Sequence, residues 1–95
     1  MLPERELNET IAIAKKYGIG QLYLIGSTLR EDVQRAHDYD FAVKGVPSGR
    51  FFAFYGELYR TLSKNVDLID LSGKMTQFKR IVLREAKLIY DKRSN

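Results

Sequence analysis

The chain contains no cysteine, which excludes disulfide bonds and thiolate metal sites. No apolar run approaches the roughly 20 residues that a membrane span requires. The first six residues lack the basic-then-apolar pattern of a secretory signal peptide. The one histidine, His37, lies on a predicted loop, where a histidine is more often a spectator than a proton shuttle. These absences favour a protein of the cytoplasm.

The length of 95 residues predicts one small domain that spans residues 1–95. Hydrophobic residues make up 44% of the chain and charged residues 29%, which is ordinary for a globular protein. A domain this short buries only roughly 60–65% of the surface that its unfolded chain exposes. Its core is therefore thin, and an obligate partner would not be surprising.

The charge is unevenly distributed along the chain. Residues 1–73 have a net charge of −1, and residues 74–95 have a net charge of +5. A basic segment can attract phosphates, nucleic acid or an acidic partner. No aromatic residues alternate with these cations as a nucleic-acid platform requires, so we favour a solvated helix face over a nucleic-acid surface.

Hydrophobic periodicity and turn residues predict alternating helices and strands. The predicted helices run from about Pro3 to Lys16, over 51–62, and from Thr76 with Phe78, Ile81, Val82 and Ala86 facing inward. Thr28–Gln34 is either a short helix or an irregular helical turn. The predicted strands cover Gln21–Ile25, Asp38–Lys44 and Asn65–Leu71, and Lys87–Tyr90 is either a strand or an extended tail. This alternation predicts an α/β (α+β) domain, a small mixed sheet flanked by helices.

Three aspartates carry the strongest chemical signal. Asp38 and Asp40 lie at positions i and i+2 of a predicted strand, so both carboxylates point to one face, roughly 6–7 Å apart along the chain. Two like charges at that separation are costly unless a cation lies between them, and Mg²⁺ prefers carboxylate oxygens. Asp67 on a neighbouring strand could complete a site for two metal ions. A solvated or capping role for the Asp-x-Asp pair is the alternative.

Asp67 and Asp70 are three residues apart and cannot share a strand face. One of them is therefore expected in the site, and the other outward or in a turn. We assign Asp67 to the site, because Asp70 lies near the end of the predicted strand.

Gly26 and Ser27 follow the first strand and supply a candidate phosphate-binding bend. Glycine lets a phosphate approach the backbone closely, and N–H groups at a helix start point at an anion. Arg30, one turn later, could neutralise phosphate charge. A lone Gly-Ser after a strand is more often a simple turn.

The order Gly26-Ser27, ten residues, Asp38-Tyr39-Asp40 and a later Asp67 resembles the minimal nucleotidyltransferase domains of the DNA polymerase β superfamily. The resemblance covers nearly the whole chain and implies the nucleotidyltransferase fold. It also implies transfer of a nucleoside monophosphate, such as AMP from ATP, to a hydroxyl acceptor. Asp38 and Asp40 would bind both metals, Asp67 would bind the catalytic metal and help deprotonate the acceptor, and Gly26 and Ser27 would hold the triphosphate.

Stand-alone domains of this kind often pair with a small helical HEPN-domain protein, where they act as the antitoxin. The resemblance therefore implies a HEPN-type partner. The chain has no room for a separate acceptor-recognition domain, so the acceptor is expected on a partner or on a second copy. A homo-oligomer stays open.

The phosphate loop departs from the family pattern Gly-Ser-Arg-Ala-Arg-Gly. Thr28 replaces the first arginine and Glu31 replaces the last glycine, whereas Arg30 stays in register. Two functions from different classes follow. The first is a magnesium-dependent nucleotidyltransferase, and the alternative is a catalytically weak module that neutralises its partner by direct contact.

Overall fold

The computed structural model describes residues 2–29 and 38–94, with the backbone alone for Ser27 and Leu29. The helices are α1 (Glu4–Lys16), α2 (Phe51–Thr61) and α3 (Gln77–Glu85). The strands are β1 (Gln21–Leu24), β2 (Asp38–Lys44), β3 (Asn65–Asp70) and β4 (Lys87–Asp91). Short 3₁₀ turns cover Gly26–Leu29 and Lys92–Ser94. The predicted α+β class is confirmed, and Lys87–Tyr90 belongs to a strand.

The four strands form one mixed sheet in the order β3-β2-β1-β4. β1 is antiparallel to both β2 and β4, whereas β2 and β3 are parallel. A parallel pair needs a crossover connection, and α2 supplies it between β2 and β3. The start of β2 therefore lies between two neighbours, with the end of β1 on one side and the start of β3 on the other.

The first face of the sheet carries the main hydrophobic core. Alternate residues of the strands point to this face, and α1 and α2 cover it with their own apolar stripes. The buried residues contributed by β2 are Tyr39, Phe41 and Val43, and those contributed by α2 are Phe54 and Leu58. Each has a fractional exposure of 2% or less, so this face stabilises the domain.

The second face of the sheet is covered by α3 and only in part. Val82, Leu83 and Ala86 pack against a small buried cluster of Ile25, Ala42 and Leu71. The prediction that Phe78 and Ile81 face inward is wrong, since they are 59% and 47% exposed. The apolar stripe of α3 is wider than the patch of sheet beneath it, and no residue of this helix is fully buried.

Other local predictions agree with the structure to within a residue or two. Thr76 caps α3, with its hydroxyl oxygen accepting the backbone N–H of Lys79 at 3.1 Å, as a residue at this position commonly does. The predicted helix or helical turn over Thr28–Gln34 is only partly described, and its residues 30–34 lie outside the described ranges. Among the described residues, none of the helices has the length and apolar character needed to cross a bilayer.

Candidate active site

Asp38 and Asp40 lie on the second face of the sheet, at the start of β2. Their neighbours Tyr39 and Phe41 point into the main core on the opposite face, so strand alternation turns both carboxylates to the α3 side. Ala42, the next residue on that side, is buried under α3. The carboxylates therefore lie beyond the part of the sheet that α3 covers, and both residues are partly exposed.

Asp67 joins them through the parallel pairing of β2 and β3. The register places Asp40 directly beside Asp67, and Asp38 beside Asn65. Val66 and Leu68 face the main core, so Asp67 points to the same side of the sheet as the two aspartates of β2. The structure thus places the three predicted aspartates on one face of the sheet and brings Asp40 and Asp67 side by side, whereas Asp38 lies beside Asn65.

Gly26 is the bend that ends the run of β1. Its φ angle is +58°, a conformation that glycine adopts readily and other residues rarely do. A β-carbon built on Gly26 would lie 2.9 Å from Oδ2 of Asp40. The absence of a side chain is therefore required twice, by the backbone and by the carboxylate beside it.

Thr28 is fully buried and reaches the same aspartate from the 3₁₀ turn. Its hydroxyl oxygen accepts the backbone N–H of Asp40 at 2.7 Å. The carbonyl oxygen of Asp40 accepts the N–H of Ile25 at 3.0 Å. Both main-chain groups of Asp40 are thus bonded to the segment that contains the bend. The sequence indicated Thr28 only as a departure from the family pattern.

Tyr55 on α2 is a second residue that the sequence did not point to. Its hydroxyl donates to the carbonyl oxygen of Val66 at 2.8 Å, next to Asp67. Burial, followed by the negative charge of Asp67, raises the pKa of the Tyr55 hydroxyl, so this group stays protonated and donates. Tyr55 lies one helical turn after Phe51, and both pack against the main core. Such spacing gives no sign of the bond to β3.

Tyr39 anchors the start of β2 from the other face. Its hydroxyl donates to Oε2 of Glu6 on α1, and the N–H of Ser63 donates to Oε1 of the same carboxylate at 2.7 Å. The residue between the two site aspartates is thereby tied to α1 and to the segment after α2. This network restrains the strand that carries the carboxylates.

A cavity of about 470 Å³ opens beside two of the carboxylates, and its lining includes Gly26, Asp40, Asp67 and Tyr55 but not Asp38. A larger cavity of about 750 Å³ lies at the opposite end of the strands, where its lining includes Lys44, Lys92 and Arg93 but no carboxylate of the described residues. We take the smaller cavity as the candidate site, because it combines acidic side chains with a glycine bend.

The remaining predicted residues are placed as follows. Asp70 caps the turn after β3, where its Oδ1 accepts the N–H of Ser72 at 2.9 Å. Arg30 and His37 lie outside the described residues, as does the side chain of Ser27. The roles of the site residues stay predictions.

The donor set suits Mg²⁺ in kind, since carboxylate oxygens are the ligands that hard divalent cations take. Asp40 and Asp67 in register, with a glycine rather than a side chain against the Asp40 carboxylate, leave these oxygens at the edge of an open cavity. Within residues 2–29 and 38–94, however, no group of three or more histidine, cysteine, aspartate or glutamate side chains is arranged so that it could hold a metal ion. Water and substrate phosphate usually complete the coordination of Mg²⁺.

Comparisons with solved structures identify the fold. A crystal structure of the toxin–antitoxin MntA–HepT matches with a TM-score of 0.70 at 20% identity, covering 97% of this chain and 75% of that chain. A tri-AMPylated Shewanella oneidensis HEPN toxin in complex with MNT antitoxin matches with a TM-score of 0.70 at 21% identity, covering 96% and 74%. A toxin–antitoxin crystal structure with AMP-PNP gives 0.70 at 22%, covering 93% and 75%.

A comparison with curated proteins found no match. The profile of the polymerase beta nucleotidyltransferase family matches residues 8–95, which include the glycine bend, the three aspartates and all four strands. The predicted fold and the predicted class of enzyme are therefore confirmed, and the chain belongs to the polymerase beta nucleotidyltransferase family.

Proposed function

We propose that this chain transfers AMP from ATP, with Mg²⁺, to a hydroxyl group of a HEPN-type partner protein. The observation that carries the proposal is the register of the parallel pair, in which Asp40 and Asp67 lie side by side next to the Gly26 bend. Two carboxylates in that arrangement repel each other in the absence of a cation. Two divalent cations bound beside the carboxylates would offset this repulsion.

The site residues have distinct roles in this proposal. Asp38 and Asp40 would hold the cations, and Asp67 would hold the catalytic one and help take the proton from the acceptor hydroxyl. Bound cations would neutralise the charge on the attacking and leaving oxygens. The acceptor oxygen forms a bond to the α-phosphorus while the bond to pyrophosphate breaks, so positioning and electrostatics supply most of the catalysis.

The Gly26 bend receives the triphosphate. Without a β-carbon, its backbone leaves space in which a phosphate can approach the main chain. Ser27 and Arg30 would add a hydroxyl donor and a positive charge, as the family resemblance implies. Each of these groups acts by binding and orienting the nucleotide relative to the carboxylates.

The partner and the nucleotide are inferred from the structural neighbours. One of them is an MNT antitoxin in complex with a tri-AMPylated HEPN toxin, and another is a toxin–antitoxin structure with AMP-PNP. ATP as the donor and a HEPN-type protein as the acceptor are consistent with both. We keep the cytoplasm as the expected location, where ATP and such a partner are available.

The test is transfer of label from α-labelled ATP to a co-purified HEPN-type partner. Asp38→Asn should lower the rate by about 100-fold or more, because it removes a charge that acts on the transferring phosphate. The matched control is Asp70→Asn, since Asp70 is the last residue of β3, cannot share a strand face with Asp67, and accepts the N–H of Ser72. An unchanged rate in Asp38→Asn would show that the metal-binding assignment is wrong.

A second candidate function is neutralisation of the partner by direct contact. Exposed apolar side chains favour it, since Phe78, Ile81 and Leu88 in the basic last quarter are 59%, 47% and 45% exposed. If contact alone is sufficient, Asp38→Asn should still form the complex and still suppress the partner's activity. Loss of suppression together with loss of AMP transfer, while the complex persists, would support the enzymatic function.

A further inference from the structure

We propose that Thr28 is a positioning residue that fixes Asp40 in the nucleotidyl-transfer site by replacing a main-chain acceptor that the bend removes. The inference rests on the proposed function for its effect on catalysis. The contact itself is independent of that function, because it lies wholly within the chain.

The ladder between β1 and β2 is interrupted at Asp40. An antiparallel pair normally alternates between residues that exchange two main-chain hydrogen bonds and residues that exchange none. At Ile25 and Asp40 the first of these bonds is present, from Ile25 N–H to Asp40 C=O at 3.0 Å. The second would run from the N–H of Asp40, and that N–H bonds to Oγ1 of Thr28 at 2.7 Å instead.

The cause of the interruption is the bend. Gly26, with a φ angle of +58°, turns the chain away from β2 directly after Ile25. A buried backbone N–H needs an acceptor, and Thr28 is fully buried two residues beyond the glycine. Its hydroxyl oxygen therefore accepts the N–H of Asp40 in place of a main-chain carbonyl, at the residue that carries a site carboxylate.

Asp40 is restrained at its main chain as a result, because its N–H bonds to Thr28 and its carbonyl oxygen bonds to Ile25. Its Oδ2 lies so close to Gly26 that a β-carbon there would come within 2.9 Å. A carboxylate that must meet both a cation and a phosphate gains from such a fixed position, because errors of about 1 Å in a reacting site can cost about 100-fold in rate.

The residue type at position 28 decides whether this hydrogen bond can form. The family commonly has arginine at this position, and a guanidinium group has five donors but no acceptor. An arginine therefore could not accept the N–H of Asp40. Thr28 can accept this N–H, and the bond holds the main chain of the residue that carries a site carboxylate.

The contact can be tested by amide exchange of isotopically labelled protein. In the wild type, the amide proton of Asp40 should be protected from exchange with solvent. Thr28→Val, which keeps the shape of the side chain and removes the acceptor, should lose that protection, whereas Thr28→Ser should keep it. An Asp40 amide that exchanges freely in the wild type would overturn the inference even if Thr28→Val fails to fold.

The catalytic consequence is tested by steady-state kinetics of AMP transfer. Thr28→Val should lower kcat/KM by about 10- to 100-fold, the usual effect of losing a group that orients a ligand residue, with the change in kcat rather than in KM for ATP. Thr28→Ser should restore most of the activity. If Thr28→Ser is as impaired as Thr28→Val, or if Thr28→Val transfers AMP normally, the positioning role is wrong.

Thr10→Val is the matched control. Thr10 is the other fully buried threonine of the described residues, and its hydroxyl donates to the carbonyl oxygen of Glu6 within α1 at 2.8 Å. It should leave kcat and the exchange of the Asp40 amide as in the wild type. A wild-type protein that transfers no AMP would refute the proposed function, while the exchange experiment would still decide the role of Thr28.

Discussion

Gly26 and Gly49 pose the same backbone problem in two different surroundings. Both have positive φ angles, +58° and +79°, so a side chain at either position is strained. At Gly26 a β-carbon would also meet Oδ2 of Asp40 at 2.9 Å, whereas at Gly49 it would meet nothing within 4 Å. The pair separates the cost of the conformation from the cost of disturbing the carboxylate.

We expect Gly49→Ala to lower the free energy of unfolding by about 1 kcal/mol, the strain of a left-handed residue, without affecting AMP transfer. Gly26→Ala should cost at least as much stability and should also lower transfer, because the new methyl group displaces the Asp40 carboxylate. Chemical denaturation and the transfer assay measure the two effects. Equal transfer by the two variants would show that the contact with Asp40 has no catalytic importance.

Side chains that carry charge could be predicted from the sequence, and those that position them could not. Asp38, Asp40 and Asp67 could be identified because their residue type and spacing limit what they can do. Thr28 and Tyr55 act through single hydrogen bonds to the backbone of a distant strand. Such partners depend on how the strands and α2 come together, which the local pattern does not contain.

Three elements meet at the Glu6 carboxylate. It accepts the Tyr39 hydroxyl from β2 and the N–H of Ser63 from the segment after α2. Burial acts to raise the pKa of Glu6, but the bonds from Tyr39 and then Ser63 outweigh it and hold the pKa below the ordinary 4.5. Since the folded pKa is the lower one, the contribution to stability is present above pH 4.5 and is lost as the pH falls through the folded pKa.

Glu6→Gln should therefore flatten the acid limb of the stability profile. At neutral pH we expect the variant to be less stable by about 1 kcal/mol, because a neutral amide accepts hydrogen bonds less strongly than a carboxylate. The difference should shrink below pH 4.5. Denaturation at a series of pH values measures it, with Glu9→Gln as the control, since Glu9 pairs with the exposed Arg5 at 3.6 Å. Parallel profiles for wild type and Glu6→Gln would contradict this account.

The elements themselves followed closely from periodicity and turn residues, but the surroundings of α3 did not. Its apolar spacing predicted an inward face, and Val82 and Ala86 do pack on the sheet. Phe78 and Ile81 stay exposed because the sheet offers them no surface. Periodicity shows which side of a helix is apolar, and the width of the neighbouring layer decides how much of that side is covered.

The two faces of the sheet have different roles, since one forms the main core and the other carries the candidate site. The first face builds the main core with α1 and α2, and the second face carries α3 at one end and the aspartates at the other. The parallel register that aligns Asp40 with Asp67 depends on the crossover through α2. The sequence suggested that Asp67 could come alongside, and only the folded chain fixes which residue it meets.

This alignment should reduce the stability of the metal-free protein. Like charges directly opposite each other on adjacent strands are destabilising, by about 0.5 kcal/mol. Asp67→Asn removes one of them, so in the presence of a chelator the variant should be more stable than the wild type by about that amount. The control Asp70→Asn should bring no such gain, because Asp70 accepts hydrogen bonds in the turn after β3.

Addition of Mg²⁺ should reverse the order of the two proteins. A cation that binds only the folded state stabilises it in proportion to RT ln(1 + [Mg²⁺]/Kd), so the Tm of the wild type should rise with concentration. Asp67→Asn lacks one of the expected ligands, and its Tm should respond much less. Thermal unfolding with chelator and with increasing Mg²⁺ measures both effects. A wild-type Tm that ignores Mg²⁺, together with no gain of stability in metal-free Asp67→Asn, would mean that the facing carboxylates neither repel each other nor share a cation.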